Sequence, residues 1–222
     1  MRRIALTLAL VGLAAAPAAA TAAATLVSPV GGSTAGSFPL LRWKLPAGEE
    51  NEVVYIARSG ARALTGEFRV DNLEDTTPMS GRASSHRTTN GLYAGTHYWL
   101  VGTRDGNFEQ RYSKVGRFRV VGVLAVSRLR LTPGPAAGTA DLRMRVKTNA
   151  RVLRSTVEVL QGGRLVQIFG RTTSVTNPGF GGSRKIGWLP SSAVAAGRAA
   201  TLRVTVRAGS RVAHATVRVT AP

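Results

Sequence analysis

The sequence predicts an all-β protein built from two β-sandwich domains in tandem. Two patterns support this prediction: short runs that alternate apolar with polar residues, and clusters of Gly, Pro, Asn and Ser that separate those runs. After the N-terminal segment, no window shows the period of a helix. Each half of the chain contains about seven strand-like runs, a number typical of a sandwich of about 100 residues.

The N-terminal segment, residues 1–24, has the layout of a secretory signal peptide. Two arginines open it, an apolar run reaches Ala16, and two A-x-A cleavage signals lie at residues 18–20 and 22–24. A membrane anchor would need about 20 apolar residues, and this run is shorter and breaks at Pro17. We therefore expect export, to the medium, to the cell surface, or to the periplasm of a cell with two membranes, with no transmembrane segment in the mature protein.

The rest of the chain divides near Val121–Val123 into two predicted domains, residues 25–121 and residues 122–222. The linker between them is very short, so the domains should lie end to end with limited freedom. The sequence contains no cysteine, which rules out disulfides even though export would permit them. Each domain must therefore fold around its own apolar core, for which about 100 residues suffice.

Positive charge is concentrated in the second predicted domain. The whole chain has a formal net charge of +19. Residues 25–121 hold 12 Lys and Arg against 9 Asp and Glu, a net +3, whereas residues 122–222 hold 16 against 2, a net +14. Two interpretations stay open: solvated strand faces whose charge deters aggregation, or a docking surface for an anionic or a protein partner.

The basic residues of this domain fall on the solvent side of its predicted strands. Side chains alternate between the two faces of a strand, so an apolar–basic alternation puts the basic set outside. In an immunoglobulin-like topology the first two and the last two strands lie in opposite sheets, which predicts two basic faces rather than one groove. The candidate polyanion-binding residues are Arg128, Arg130, Arg143, Arg145, Lys147, Arg203, Arg207 and Arg218.

Residues 92–98 have the arrangement of a tyrosine corner, in which Leu92, a glycine turn and Tyr98 follow one another. A tyrosine at the start of a strand can bury its ring and bond a loop backbone group through its hydroxyl. We assign that role to Tyr98, with Leu92 in the core beneath the turn and Trp43 as a core tryptophan. With these features, residues 25–121 resemble a fibronectin type III domain. The resemblance implies that its second, third, sixth and last strands are the runs 40–44, 53–58, 95–101 and 115–120.

The second half resembles an immunoglobulin-like domain of bacterial surface proteins by its strand pattern alone. Its clearest element is a terminal hairpin over residues 200–219, with a glycine turn at residues 208–210. No motif specific to one family accompanies that pattern.

The sequence shows no arrangement of residues that points to catalysis, a cofactor or a metal. The histidines are far apart, lack metal-ligand spacing and are expected to be exposed, and three neighbouring acids are expected in a solvated loop. Neither a nucleophile elbow nor a phosphate loop is present. The residues concerned are His86, His97 and His214, and Asp71, Glu74 and Asp75.

These observations predict a non-catalytic binding or structural module of the cell envelope, whose basic second domain contacts an anionic polymer. Wall polymer, acidic polysaccharide, DNA and anionic lipid all fit the charge, but sequence-specific nucleic-acid binding does not, since no reading helix, zinc spacing or stacking platform is present. One alternative is a spacer or assembly protein that uses apolar contacts around Trp99 or Trp188. Another is an accessory domain of a secreted hydrolase. For both tryptophans, burial at an interface is favoured over exposure as a carbohydrate platform.

Overall fold

The computed structural model describes residues 23–222, and its architecture is all-β, as the sequence predicts. The predicted signal peptide lies outside the described residues except for Ala23 and Ala24. Among residues 23–222 there is no helix with the length and apolar character that crossing a bilayer requires. The strands of the first half are β1 (Thr25–Ser28), β2 (Ser33–Ala35), β3 (Leu40–Lys44), β4 (Glu50–Ala57), β5 (Leu73–Pro78), β6 (Ser85–Arg87), β7 (Gly95–Arg104), β8 (Gln110–Tyr112) and β9 (Gly116–Val120).

The first half forms a sandwich of two sheets. One sheet has the order β1-β3-β6, and the other has the order β2-β9-β7-β4-β5 with β8 beside β7. Between the sheets lies a core in which Leu41, Trp43, Ile56, Trp99 and Phe118 are almost wholly buried. The runs expected from the fibronectin type III resemblance correspond to β3, β4, β7 and β9.

The second half forms a second sandwich with its own core. Its strands are β10 (Leu124–Pro133), β11 (Ala140–Thr148), β12 (Val152–Gln161), β13 (Arg164–Ser174), β14 (Gly181–Trp188), β15 (Ala199–Ala208) and β16 (Arg211–Thr220). The sheet β10-β11-β14 packs against the sheet β13-β12-β15-β16, so the first two and the last two strands lie in opposite sheets, as expected.

The alternation of β11 shows how this second sandwich sorts its side chains. Leu142, Met144 and Val146 are buried in the core, while Arg143, Arg145 and Lys147 between them are exposed. Burying the apolar set supplies the main driving force for folding, and the period of two then places the basic set in solvent. The register is fixed because a slip of one residue would bury the arginines.

The structure corrects the predicted orientation of β7. His97, Trp99 and Val101 face the core between the sheets, whereas Tyr98 and Leu100 lie on the opposite face. That opposite face is also covered, because Phe68, Tyr55 and Tyr112 pack on it. Both the odd-numbered and the even-numbered residues of β7 are therefore mostly apolar, so the alternation of apolar and polar residues cannot show which face of the strand points to the core.

The tyrosine-corner role predicted for Tyr98 is therefore wrong. Its ring packs in the cluster on the outer face, and within residues 23–222 its hydroxyl has no hydrogen-bond partner. Trp43 and Leu92 do lie in the core between the sheets. Trp99 is fully buried there, and its Nε1 donates a 2.7 Å hydrogen bond to the carbonyl oxygen of Pro29.

Trp188 is likewise buried, inside the second sandwich rather than at an interface. Its ring stacks on Phe169 with a centroid separation of 6.0 Å, and its Nε1 donates to the side-chain oxygen of Gln167 at 3.0 Å. In the first sandwich, a 3₁₀ turn at Val70–Asn72 follows Phe68, and the edge strand β5 comes after it.

The two sandwiches meet at a junction built around the side chain of Asn149, which is fully buried. Its Oδ1 accepts a 2.7 Å bond from the backbone N–H of Val123, and its Nδ2 donates to Ser37 Oγ at 3.0 Å and to the Val121 carbonyl at 2.8 Å. The backbone N–H of Ala94 donates to the Asn149 carbonyl at 2.8 Å. One residue of the second sandwich therefore holds both the first sandwich and the connecting segment.

Further contacts fix the same junction. The hydroxyl of Tyr93 donates to the Val175 carbonyl at 2.7 Å, and the guanidinium of Arg151 lies 4.2 Å from the centroid of the Tyr93 ring. Phe38 and Phe180 meet edge to face with centroids 4.7 Å apart. Hydrogen bonds, a cation–π contact and an aromatic pair together restrict motion between the two sandwiches.

Candidate functional site

The outer face of the sheet β10-β11-β14 contains an open groove of about 630 Å³, which we call the basic groove. Four of the predicted polyanion-binding residues meet in it, two from β10 and two from β11. Its lining residues are Arg128, Leu129, Arg130, Arg143, Met144, Arg145, Gly181 and Ser183.

Strand pairing places these basic side chains in rows. Arg143 of β11 lies opposite Arg130 of β10 on one side and opposite Lys185 of β14 on the other. Arg145, two residues further along β11, begins the next row. Neighbours across the sheet are about 5 Å apart and neighbours along the strand about 7 Å apart, so the charges form a lattice rather than a single pair.

A β-bulge in β10 completes the groove. Ser127 pairs with Arg145 and Arg130 pairs with Arg143, so Arg128 and Leu129 together oppose the single residue Met144. The extra residue changes the phase of the strand: Leu124 and Val126 pack on the core before the bulge, and Leu129 and Leu131 after it. Arg128 itself adopts a φ of 54°, in the left-handed region.

Few acidic side chains lie close enough to neutralise the positive charge of this face. Lys185 contacts Asp141 with an Nζ–Oδ2 distance of 3.2 Å. In the part of the chain that the structure describes, none of the basic side chains at residues 128, 130, 143, 145 and 147 has an acidic partner within 4.0 Å. Like charges this close repel one another, so an anion bound between them would relieve that repulsion.

The basic groove continues toward the junction through a second depression of about 590 Å³, whose lining includes Lys147, Arg145 and the Phe38–Phe180 pair. Gly181 lines both depressions, and a Cβ at that position would lie 3.1 Å from Arg145 Nε. Lys147 therefore extends the row of charges on β11 toward an exposed aromatic ring, Phe180.

The other three predicted residues, Arg203, Arg207 and Arg218, lie on the opposite sheet. Arg203 is directly opposite Glu158, one of only two acidic residues in residues 122–222. Arg218 lines a separate depression between β16 and β10. The structure therefore divides the predicted set: five residues share one face and three are scattered over another that also presents an acid.

A buried ionic cluster was not predicted from the sequence. Glu74, expected in a solvated loop, lies on β5 with a side chain only 5% exposed, and its carboxylate contacts Nδ1 of His97, which was expected to be exposed. Arg58 Nε lies 2.7 Å from Glu74 Oε1, and Arg151 of the second sandwich lies 3.2 Å from the same atom. Nε2 of His97 donates to the Tyr93 carbonyl at 2.8 Å.

Two opposing effects set the pKa of Glu74. Burial disfavours its charged form, but hydrogen bonds from His97 and Arg58 and the charges of both outweigh burial and hold the pKa below its ordinary value. The cluster links β5, β7 and the second sandwich, so it is structural. No sequence signal pointed to it, because its members come together only through long-range strand pairing.

The other histidines do not join this cluster. His214 is exposed and lies 3.2 Å from Thr205 Oγ1, whereas His86 lies on β6 with its Nε2 buried. Over residues 23–222, no group of three or more His, Asp or Glu side chains is placed to hold a metal ion.

Comparisons with known proteins find structural likeness only. No family model matches the chain, and no curated protein matches it. Dimeric latent PorU from Porphyromonas gingivalis is similar over 90% of this chain, at 17% identity and a TM-score of 0.33, and this chain spans only 20% of that one.

Two other solved structures are similar to about the same fraction of this chain. The fibronectin(III)-like modules of Clostridium thermocellum CbhA match 89% of this chain and 93% of theirs, at 12% identity and a TM-score of 0.30. The chicken interferon gamma receptor alpha chain matches 90% of this chain and 97% of its own, at 13% identity and a TM-score of 0.30. The sandwich architecture itself follows from the strand pairing described above.

Proposed function

We propose that this chain is an exported, non-catalytic binding module of the cell envelope, whose second sandwich docks to an anionic polymer through the basic groove. The observation that carries the proposal is the presence of five basic side chains on one sheet face with no acidic partner among the described residues. Export rests on the signal-peptide pattern of residues 1–24. The fold supports a binding or structural role because it offers a rigid scaffold for a surface.

Geometry favours an extended polymer over a small ligand. The basic groove and its continuation are open, shallow and lined along the direction of β11, whereas small-molecule sites enclose most of their ligand. A flat row of charges can neutralise successive anionic groups of one chain. Each contact would be weak alone, and several together would bind well.

Apolar docking around Trp99 or Trp188 has lost its basis, since both side chains are buried. An accessory role beside a secreted hydrolase stays a prediction. Docking to a wall polymer through the basic groove would serve such a role, and co-purification with a hydrolase would test it.

A salt titration with two matched triple variants tests the proposal. One variant changes Arg130, Arg143 and Arg145 to serine in the basic groove, and the other changes Arg203, Arg207 and Arg218 to serine on the opposite sheet. Both remove three charges, so a difference between them reports position rather than net charge. The probe is long-chain inorganic polyphosphate, with polyglutamate as a second polyanion.

We expect wild-type affinity to fall steeply with salt, because binding releases counterions. In the groove variant, the slope of log K against log salt should decrease by about 2 to 3 units, and in the opposite-sheet variant it should decrease by less than half as much. Binding that is insensitive to salt would refute polyanion docking. Equal losses in the two variants would refute the basic groove as its location.

A further inference from the structure

Arg128 holds a backbone conformation that an arginine rarely adopts. Only two non-glycine residues among residues 23–222 have a positive φ: Arg128 at 54° and Phe108 at 64°. In this region the Cβ of an L-residue approaches the backbone closely, so glycine and asparagine are preferred there. Backbone strain of this kind often marks a functional position.

Packing does not explain the arginine at this position. The core-facing positions of β10 change from even to odd numbers at the bulge, and this change requires one extra residue. A glycine at that position would supply the residue without backbone strain. What the arginine adds is a guanidinium that lines the basic groove. It lies between the row that contains Arg143 and the row that contains Arg145.

The bulge therefore adds a fourth guanidinium where a regular strand would present fewer. Arg128, Arg130, Arg143 and Arg145 line the same groove, and Ser183 contributes a hydroxyl beside them. Each guanidinium has five N–H donors in a planar fork that matches the oxygens of an oxyanion. The two oxygens of a carboxylate lie in one plane with its carbon, whereas the oxygens of a phosphate or sulfate group are arranged as a tetrahedron, so guanidinium groups from several directions can reach them.

We propose that the bulge is a binding site for one tetrahedral oxyanion, which is a phosphodiester or sulfate ester of the anionic polymer. Arg128 binds this group together with Arg130, Arg143 and Arg145. The proposal rests on the proposed function and adds the class of anion and the residue that selects it. The strain at Arg128 is then retained because the site needs a guanidinium at that point.

Two variants of Arg128 and two controls test this. Arg128→Gly removes both the strain and the guanidinium, and Arg128→Lys keeps the charge but loses the planar fork. Phe108→Gly removes strain at the other positive-φ residue, which lies in the first sandwich between β7 and β8. Arg203→Lys makes the same lysine change on the opposite sheet.

The measurements are thermal unfolding, and binding of polyphosphate, dextran sulfate and polyglutamate at one fixed salt concentration. Both glycine variants should unfold at the same temperature as the wild type or higher. Arg128→Gly and Arg128→Lys should each weaken binding of polyphosphate or dextran sulfate by about tenfold, the value of one charge-assisted hydrogen bond. Polyglutamate binding, and both control variants, should change by less than a third as much.

The three polymers separate the outcomes. A loss confined to polyphosphate identifies a phosphate group as the bound anion, and a loss confined to dextran sulfate identifies a sulfate ester. Polyphosphate and dextran sulfate binding by Arg128→Gly at wild-type strength would overturn the inference. If the triple groove variant still lost polyphosphate binding, the proposed function would stand without this site, whereas a wild-type protein that binds no polyanion would refute both.

Discussion

Replacing Asn149 with alanine should uncouple the two sandwiches at a large cost in stability. The change removes three side-chain hydrogen bonds, to the Val123 N–H, the Ser37 hydroxyl and the Val121 carbonyl. The Asn149 side chain is fully buried and Ser37 is buried beside it, whereas Val121 and Val123 border an open depression at the junction. The N–H of Val123 and the carbonyl of Val121 would lose the side-chain partner that they have in the wild type.

The expected magnitude follows from these three bonds. A buried polar group that loses its partner costs about 1–3 kcal/mol. The N–H of Val123, the carbonyl of Val121 and the hydroxyl oxygen of Ser37 each lose one partner, and water can reach the two backbone groups in part. We therefore expect Asn149→Ala to lower the free energy of unfolding by about 2–3 kcal/mol. The control is Asn177→Ala, which removes an exposed asparagine from the same sandwich and should cost less than about 0.5 kcal/mol.

Urea unfolding followed by tryptophan fluorescence measures this effect. The first sandwich contains Trp43 and Trp99, and the second contains Trp188. Variants that keep tryptophan in only one sandwich therefore report the unfolding of that sandwich alone. With Asn149 intact, the two reports should share one transition. In Asn149→Ala they should separate. A loss below about 1 kcal/mol with coincident transitions would show that the junction does not depend on this side chain.

Two further predictions concern other contacts. Because the folded-state pKa of Glu74 lies below its ordinary value, its ionisation stabilises the fold above about pH 4.5, and that contribution is lost as the pH falls through the lowered pKa. Urea midpoints should show Glu74→Gln costing about 3 kcal/mol at pH 7 and progressively less below pH 4.5, and a cost constant down to pH 3 would contradict this assignment. Gly91→Ala should loosen the junction, since a Cβ there would lie 1.7 Å from the Pro178 carbonyl oxygen. Faster amide exchange at the junction would show this loosening, and exchange unchanged from wild type would contradict it.

The second sandwich was predictable because its strands expose one face to solvent and bury the other. On β11 the buried Leu142, Met144 and Val146 alternate with exposed basic residues, so the period of two reveals both the strand and its orientation. The bulge in β10 also left a signal: the apolar residues shift from positions 124 and 126 to positions 129 and 131. That break in parity could have been recognised from the sequence alone.

The first sandwich was harder to predict because β7 is covered on both faces. Residues 97–101 are all apolar or aromatic, and nothing local shows that Trp99 rather than Tyr98 faces the core. The cluster of Glu74 with His97 depends on contacts between residues far apart in the chain. Neither composition nor spacing encodes such pairings, which exist only after the sheets have formed.

The bulge in β10 serves the basic groove and is not required to close the second sandwich. Deleting Arg128 would remove the extra residue and return the strand to a single phase. Leu129 and Leu131 would still face the core and Arg130 would still face solvent, so we expect the shortened strand to pair with β11 without a break. What the deletion would remove is one guanidinium from the basic groove, together with the left-handed backbone that presents it.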